Sequence, residues 1–477
     1  MAPKKISRLF RLAASITLFV FTLSALWQAP AQAFFFGGVS LKDEKEMGHK
    51  FDVMIRSNLP IVQDPEVSEY VRYLVERIAS SIPPQPFNFH SAVILHNAMN
   101  AFAVPGGYVY VFTGLLMNFT SEDQVAGVLC HELAHVTQRH VASRIEKAQM
   151  ITLGSLLLAI AGVAAGAGGA AAAASFGAGQ SALLSYSRAD ETEADQIGMQ
   201  YLIKAGYPPV GLVNGFKILR QKSWMSGTHV PTYLSTHPDI GDRITGITAR
   251  IKTMPLSIQN KSFDNRRFQR MQVLLWGRYG DAQAALQRFR GSDALSLMGR
   301  GMVYSRQNNV VEAEKAFSAA VAAAPSDPLV LREAGIFEYR KGDSQKSNQL
   351  LSRATGIDPR DFMARFFLAR LLDDSGRHSE AQAQFRDVLR YVPEESDVHE
   401  ALARSYGGTG RQALAYIHMT YAALYAQRKD LAERYYDRAK GLSSSAPGDF
   451  QKLSTTYHRR KVPLWQIMTL GRKWEDM

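Results

Sequence analysis

Pro325, Pro359 and Pro393 lie 34 residues apart. Gly301, Gly335, Ala369 and Ala403 keep that interval, as do Asn308, Gly342, Gly376 and Gly410, and Ala313, Ser347, Ala381 and Ala415. Phe317, Leu351 and Phe385 follow in the same phase. A unit of this length fits two helices and two turns. The small residues mark where paired helices touch, and the proline follows the second helix. One such pair cannot bury its own apolar face, so consecutive pairs must stack into a solenoid. Three clear repeats are expected over residues 294–395, a degenerate fourth with a terminal cap over 396–445, and an irregular unit upstream at Tyr279-Gly280-Asp281.

The solenoid leaves the first half of a 477-residue chain unexplained, which is long enough for a second domain. Apolar residues make up 46% and charged ones 21%, an ordinary globular balance, and the formal net charge is +12. No aromatic residues interleave with a basic cluster, so the charge reads as a basic surface spread over the chain, with no nucleic-acid partner. At the start, Lys4, Lys5, Arg8 and Arg11 precede an apolar run from Leu12 to Leu26, then Ala31-Gln32-Ala33. This predicts a cleavable secretory signal over 1–33 and a mature start near Phe34. Export invites disulfides, yet Cys130 is the only cysteine. It reads as a small buried residue, about 100° around the helix from His131.

Residues 42–58 have a polar, helix-forming composition. Ser91–Leu95 and Tyr108–Phe112 have strand composition and are expected to be adjacent strands joined through a glycine turn at Pro105-Gly106-Gly107. Ser121 and Gln124 predict a capping box that starts a helix running past Arg144. Residues 150–179 carry no charge and are rich in alanine and glycine. A buried hairpin or plug over the site, a membrane-contacting segment and a true span compete as readings. A span would separate parts of one site, and the plug is favoured. Residues 187–222 and 242–251 read as helical, and 264–267 as a linker. The domains expected are therefore 34–263, with 150–186 as the plug or contact segment, and 264–477.

His131-Glu132-Leu133-Ala134-His135 is the H-E-x-x-H pattern. On a helix, positions i and i+4 lie on one face roughly 5–6 Å apart, so two imidazoles can converge on one zinc ion. Glu132 projects beside that face and can take a proton from a water as it attacks a carbonyl. A third ligand must come from elsewhere. The spacing around His140 does not match the pattern that adds a third histidine downstream, since Gln138 and Val141 stand where glycine and histidine belong. His140 reads instead as a surface residue or a support to a ligand. Glu191 and Asp195 are one helical turn apart; one can bind zinc while the other orients a ligand histidine.

The combination resembles peptidase family M48. It is carried by His131 to His135, Ser187-Arg188, Glu191-x-x-Ala194-Asp195, and Asn100 to Gly107 leading to Thr113-Gly114-Leu115-Leu116. The 34-residue unit is the tetratricopeptide signature. With the leader, the whole resembles the periplasmic branch of that family. The resemblance implies an α+β zincin-like domain with a small sheet, followed by an all-α solenoid. His131, His135 and Glu191 would bind one zinc ion, Glu132 would be the general base, and Asp195 would support a histidine ligand. Phe102, Ala103 and Val104 would offer a strand edge to substrate. His237 would occupy a fourth zinc position and keep the enzyme latent, and Arg243 would stabilise an oxyanion. The family type has a disulfide in its repeats, which one cysteine cannot form. The function implied is a periplasmic zinc endopeptidase for outer-membrane and envelope proteins, with repeats that bind substrate or an assembly complex, and peripheral membrane contact. The alternative is a scaffold or chaperone with residual proteolysis. An integral-membrane CAAX-type protease would need several long spans.

Overall fold

A computed structural model describes residues 39–147, 186–225, 233, 236–426 and 428–460. The expected leader, the uncharged 150–179 stretch and Ser235 lie outside them. Among the described residues no helix is long and apolar enough to cross a membrane.

The first half is helical around a small sheet. Helix α1 spans Leu41–Asn58 and α2 Pro65–Ala79. Asp64 starts α2 by accepting from the N–H groups of Glu66 and Val67, with Pro65 in the first turn. Its apolar face, Val67, Tyr70, Val71, Leu74, Val75 and Ile78, is buried, at the spacing of one helix face. Strands β1 (His90–Ile94), β2 (Ala101–Val104) and β3 (Tyr108–Phe112) form a sheet in the order β1-β3-β2. β1 and β3 are neighbours as expected, but they run parallel, with Val93 opposite Val111. The glycine turn joins β2 to β3, antiparallel with Ala103 opposite Val109. The turn needs glycine: Gly106 and Gly107 have φ of 79° and 88°. A parallel neighbour cannot be reached by a tight turn, so β2 is threaded between them in sequence.

Helices α3 (Thr113–Asn118), α4 (Glu122–Thr137) and α5 (His140–Lys147) follow. Ser121 is the cap position of α4, but its side chain caps nothing. Gln124 instead reaches back to Thr120, accepting from its N–H and donating to its hydroxyl. Nor does the helix run unbroken past Arg144: Arg139 takes φ 57° and separates α4 from α5. The helical stretch from 188 also splits, into α6 (Arg188–Lys204) and α7 (Val210–Met225), at Gly206 with φ 93° and the Pro208-Pro209 pair. Helix α8 spans Ile240–Lys252. α4 is gripped between α6 and α7 at backbone distance. A Cβ on Gly127 would lie 2.6 Å from Leu212 Cα, and one on Gly198 would lie 3.0 Å from His131 Cα.

Helix α9 (Arg266–Tyr279) begins directly at the expected linker, yet its Phe268, Met271 and Leu275 belong to the first domain's core. Its Gln272 amide donates to the carbonyls of Leu116 and Phe119, and the Trp276 indole to that of Met117. Helix α10 (Ala282–Arg288) completes the irregular upstream unit. The repeat pairs are α11 (Ala294–Arg306) with α12 (Val310–Ala323), α13 (Pro328–Lys341) with α14 (Ser344–Ile357), α15 (Phe362–Asp374) with α16 (His378–Tyr391), and α17 (Ser396–Gly408) with α18 (Gln412–Tyr425). α19 (Lys429–Gly441) and α20 (Pro447–Arg460) follow. The registers have physical content. Gly301 leaves room for Phe317 and Gly335 for Leu351. Asn308, Gly342, Gly376 and Gly410 all take positive φ at the turn between paired helices. Asp293, Asp327 and Asp361 each cap a first helix through the side chain, whereas Glu395 does not. That lost cap is part of why the fourth unit reads as degenerate.

The two halves meet at buried ion pairs. On α9, Arg278 contacts Asp64, Glu66 and Glu333 at 2.5, 2.9 and 2.7 Å. On α13, Arg332 contacts Glu66 at 2.7 Å and Asp361 at 3.1 Å.

Candidate metal centre

α4 carries His131, Glu132 and His135, all at 1% exposure or less. The i, i+4 spacing brings His131 Nε2 and His135 Nε2 to 3.0 Å. α6 supplies Glu191, and the segment before α8 supplies His237. His237 Nδ1 lies 3.3 Å from His131 Nε2 and 2.8 Å from Glu191 Oε1. Glu191 Oε2 and Oε1 lie 3.5 and 3.6 Å from His131 Nε2 and His135 Nε2. One donor atom from each of His131, His135, Glu191 and His237 thus lies within 4.8 Å of every other. α6 is started by a reciprocal capping box between Ser187 and Asp190.

The fit to a cation is electrostatic as well as geometric. Three imidazole nitrogens and a carboxylate converge on one buried point, a donor set that suits zinc. Burial raises Glu191, but His237, His131 and Arg243 outweigh it and hold its carboxyl well below the usual range. Burial and Arg243 push His131 down, yet Asp195 and Glu191 prevail and raise it to about 9. The pocket is built to hold positive charge. Burial keeps His135 far below the ordinary histidine value, hence neutral. Burial raises Glu132 despite His237 and His131. Its Oε1 makes no hydrogen bond and lies 3.5 Å from His237 Nε2.

The supporting groups are equally ordered. Asp195 Oδ1 lies 3.0 Å from His131 Nδ1, the ring nitrogen turned away from the cluster. Arg243 was expected beside the reacting carbonyl. Its Nε and Nη2 instead donate to both Asp195 oxygens at 2.8 and 2.7 Å, and Nη1 pairs with Glu191. Its plane lies 4.5 Å from the Phe216 ring. The free alternative for His140, a surface residue, does not hold: it is buried, with Nδ1 2.8 Å from His135 Nδ1. Cys130 is buried and outside the donor set. Phe102, Ala103 and Val104 lie on β2, an edge strand of the sheet, and β2 packs on α4. A recess of about 330 Å³ adjoins the site, lined in part by Glu191, Asp195, Arg243 and Pro238.

The sequence reading missed the aromatic cage. Tyr186 stacks on His135 at 3.7 Å, Tyr233 stacks on His237 at 4.3 Å, and Phe216 meets His131 edge-on at 5.5 Å. Only Tyr233, four residues before His237, left a signal, a helical i, i+4 spacing.

Comparison with known proteins identifies both halves of the chain. Residues 62–251 match the model of Peptidase family M48, and 277–328 and 339–405 match tetratricopeptide repeat models. The chain carries a peptidase family M48 domain joined to tetratricopeptide repeats. Beta-barrel assembly-enhancing protease of Escherichia coli strain K12 is 30% identical over 292 residues, 58% of this chain and 58% of that one. The protein of the same name from Yersinia pestis is 30% identical over 256 residues, 52% of this chain and 51% of that one. Mitochondrial metalloendopeptidase OMA1 of Schizosaccharomyces pombe is 30% identical over 215 residues, 44% and 62%. The match to the two bacterial relatives spans about half their length.

Proposed function

We propose that this M48-domain protein is a periplasmic zinc endopeptidase that acts in the assembly or quality control of outer-membrane and envelope proteins. The buried convergence of His131, His135, Glu191 and His237 beside an unbonded Glu132 oxygen carries the reading. His131, His135 and Glu191 hold the metal. Zinc at this place supplies a Lewis acid that polarises the scissile carbonyl and acidifies water. Glu132 Oε1 accepts the proton of the attacking water and returns it to the leaving amine. Burial keeps Glu132 more basic than an ordinary carboxylate, which suits that exchange. Asp195 holds His131, and Arg243 holds Asp195 and Glu191. Arg243, whose Nη1 faces Glu191, would lend its charge to an oxyanion. An extended substrate adds to β2 along Phe102 to Val104. The repeats hold substrate or an envelope assembly complex.

The test is Glu132→Gln with metal analysis. The wild-type protein should carry one zinc per chain. The variant should keep zinc and fold while losing on the order of 10²–10⁴-fold in cleavage. Protein that neither contains nor takes up zinc overturns the proposal. A second reading, a scaffold or chaperone with latent proteolysis, is favoured by one observation: His237 Nδ1 already sits in the donor set. His237→Ala should then raise a low basal activity. If Glu132→Gln supports outer-membrane assembly fully in cells, the scaffold reading prevails.

A further inference from the structure

His131 and His135 both turn Nε2 into the cluster, but their remote nitrogens are held differently. His131 Nδ1 meets a carboxylate directly, Asp195 at 3.0 Å. Among the described residues no carboxylate stands against His135 Nδ1; its partner is His140 Nδ1 at 2.8 Å. His140 Nε2 in turn lies 3.3 Å from Glu193 Oε2. With the Glu193 carboxylate as the terminal acceptor, one arrangement of the protons follows. His135 Nδ1–H donates to the His140 Nδ1 lone pair, and His140 Nε2–H donates to Glu193. His135 Nε2 is left with its lone pair facing the cluster.

His140 reaches that position only because α4 breaks. Continued α-helix would place residue 140 about 140° around the axis from residue 135. Arg139 with φ 57° ends the helix and restarts it as α5. This backbone is uncommon for a residue with a side chain, and the surroundings hold it. Arg139 Nη2 donates to the Val39 carbonyl at 2.5 Å, and its guanidinium pairs with the buried carboxylate of Glu44 on α1. Tyr186 closes the remaining face of His135 by stacking at 3.7 Å.

We infer that His140 is a positioning residue for the metal: a His135–His140–Glu193 chain, set by the Arg139 turn that Glu44 and Val39 clamp, fixes the tautomer and ring orientation of His135. The inference rests on the reading of the cluster as a metal site. Ligand histidines are ordinarily oriented by a carboxylate, carbonyl or water at the remote nitrogen, and loss of that partner typically weakens metal binding about 10–100-fold. Here a second imidazole takes that place, and the carboxylate stands one bond further out.

The test compares His140→Leu, His140→Asn and Glu193→Gln with the wild-type full chain. Zinc affinity is read by competition with a chromogenic chelator, and site geometry by the visible spectrum of the cobalt-substituted protein. His140→Leu should bind zinc about 10–100-fold more weakly with an altered cobalt spectrum. His140→Asn, whose amide can accept at the place of Nδ1, should recover most of both. Glu193→Gln should shift affinity in the same direction by less. His140→Leu with wild-type affinity and spectrum overturns the inference. Should leucine unfold the metal-free chain, Glu193→Ala, which removes from this half-exposed side chain the acceptor that glutamine keeps, decides: weaker zinc binding sustains the chain, unchanged binding and spectrum overturn it. A wild-type protein that binds no metal removes the metal site itself, a different result from variants that bind as the wild type does.

Discussion

Gly127 and Gly301 are both buried within helices, but different things fill the space beside them. At Gly127 the neighbour is the backbone of α7, 2.6 Å from where a Cβ would stand; at Gly301 it is the Phe317 ring, at 2.9 Å. The peptidase half uses glycine to press backbones together, which is how α6 brings Glu191 beside the histidines of α4. The solenoid uses it to seat a large side chain. That exchange is local, from 301 to 317 and again from 335 to 351, and Ala369 and Ala403 hold the same phase in the later repeats. In the peptidase half the partners of Gly127 and Gly198 are Leu212 and His131, far away in sequence and without a period.

The largest effect should come from the joint between these halves. Arg332→Met leaves buried Glu333 and Asp361, and part-buried Glu66, with less opposing charge. Removing one partner of a buried ion-pair group costs about 3–5 kcal/mol. Denaturant unfolding should show that loss, together with separation of one transition into two. A loss under about 1 kcal/mol would mean that apolar contacts of α9, and not the ion pairs, join the halves.

Next in size is the glycine contrast itself. Gly127→Ala must move a backbone and should cost about 1–3 kcal/mol, with weaker metal binding, because α4 and α7 are forced apart. Gly301→Ala meets a ring that can tilt, and should cost less. Thermal melts of the two variants rank them; a greater loss at 301 breaks the comparison.

The same contrast explains what was legible before the structure. Repeat phase, helix pairing and the turn positions were readable because each recurs. His131, Glu132 and His135 were readable because i, i+4 geometry is local, and Glu191 with Asp195 for the same reason. Three things were not. The parallel pairing of β1 with β3 depends on a neighbour supplied later in the chain. The break at Arg139 rests on Glu44 and Val39, about a hundred residues earlier. Tyr186 and Phe216 meet His135 and His131 from separate segments, and only folding brings them together. Arg243 lies beside the donor cluster, but its partners, Asp195 and Glu191, follow from helix packing alone.

Within the solenoid, the α17–α18 pair departs from its neighbours by burying titratable groups of opposite pH response. Burial raises Glu395 to about 8, helped by Asp397 and by Asp64 from α2. The folded chain keeps this proton where the unfolded chain has lost it. Its stabilising contribution is complete below about pH 4.5 and declines as pH rises toward 8. Burial lowers His399 to about 4 and, with His399 and Arg386 nearby, lowers His418 to about 3. These two stabilise fully above about pH 6.5 and less as pH falls toward 4 and 3. The steepest slope one proton can give is about 1.4 kcal/mol per pH unit. Hydrogen exchange of α17 and α18 against pH should show protection falling on both sides. Glu395→Gln should flatten the alkaline side alone, and an unchanged alkaline slope would show that the acid is not buried against Asp64.

The smallest effects belong to the turn position shared by Asn308, Gly342, Gly376 and Gly410. All four have positive φ, from 58° to 92°. Nothing lies within 4 Å of a Cβ built on Gly342, Gly376 or Gly410, so backbone strain is the whole cost of a side chain there. Gly342→Ala should therefore lose only about 1 kcal/mol, near the penalty of the left-handed region for an L-residue. Asn308 already bears that strain, softened by the tolerance of asparagine for this conformation. Asn308→Gly should relieve it and raise stability slightly, by less than about 1 kcal/mol, after the added freedom of glycine in the unfolded chain is subtracted. Paired melts of the two variants test whether one geometric requirement governs the whole row. If Gly342→Ala costs as much as Gly127→Ala, the turn is constrained by contacts as the peptidase helices are, and the division between the two halves fails at its simplest point.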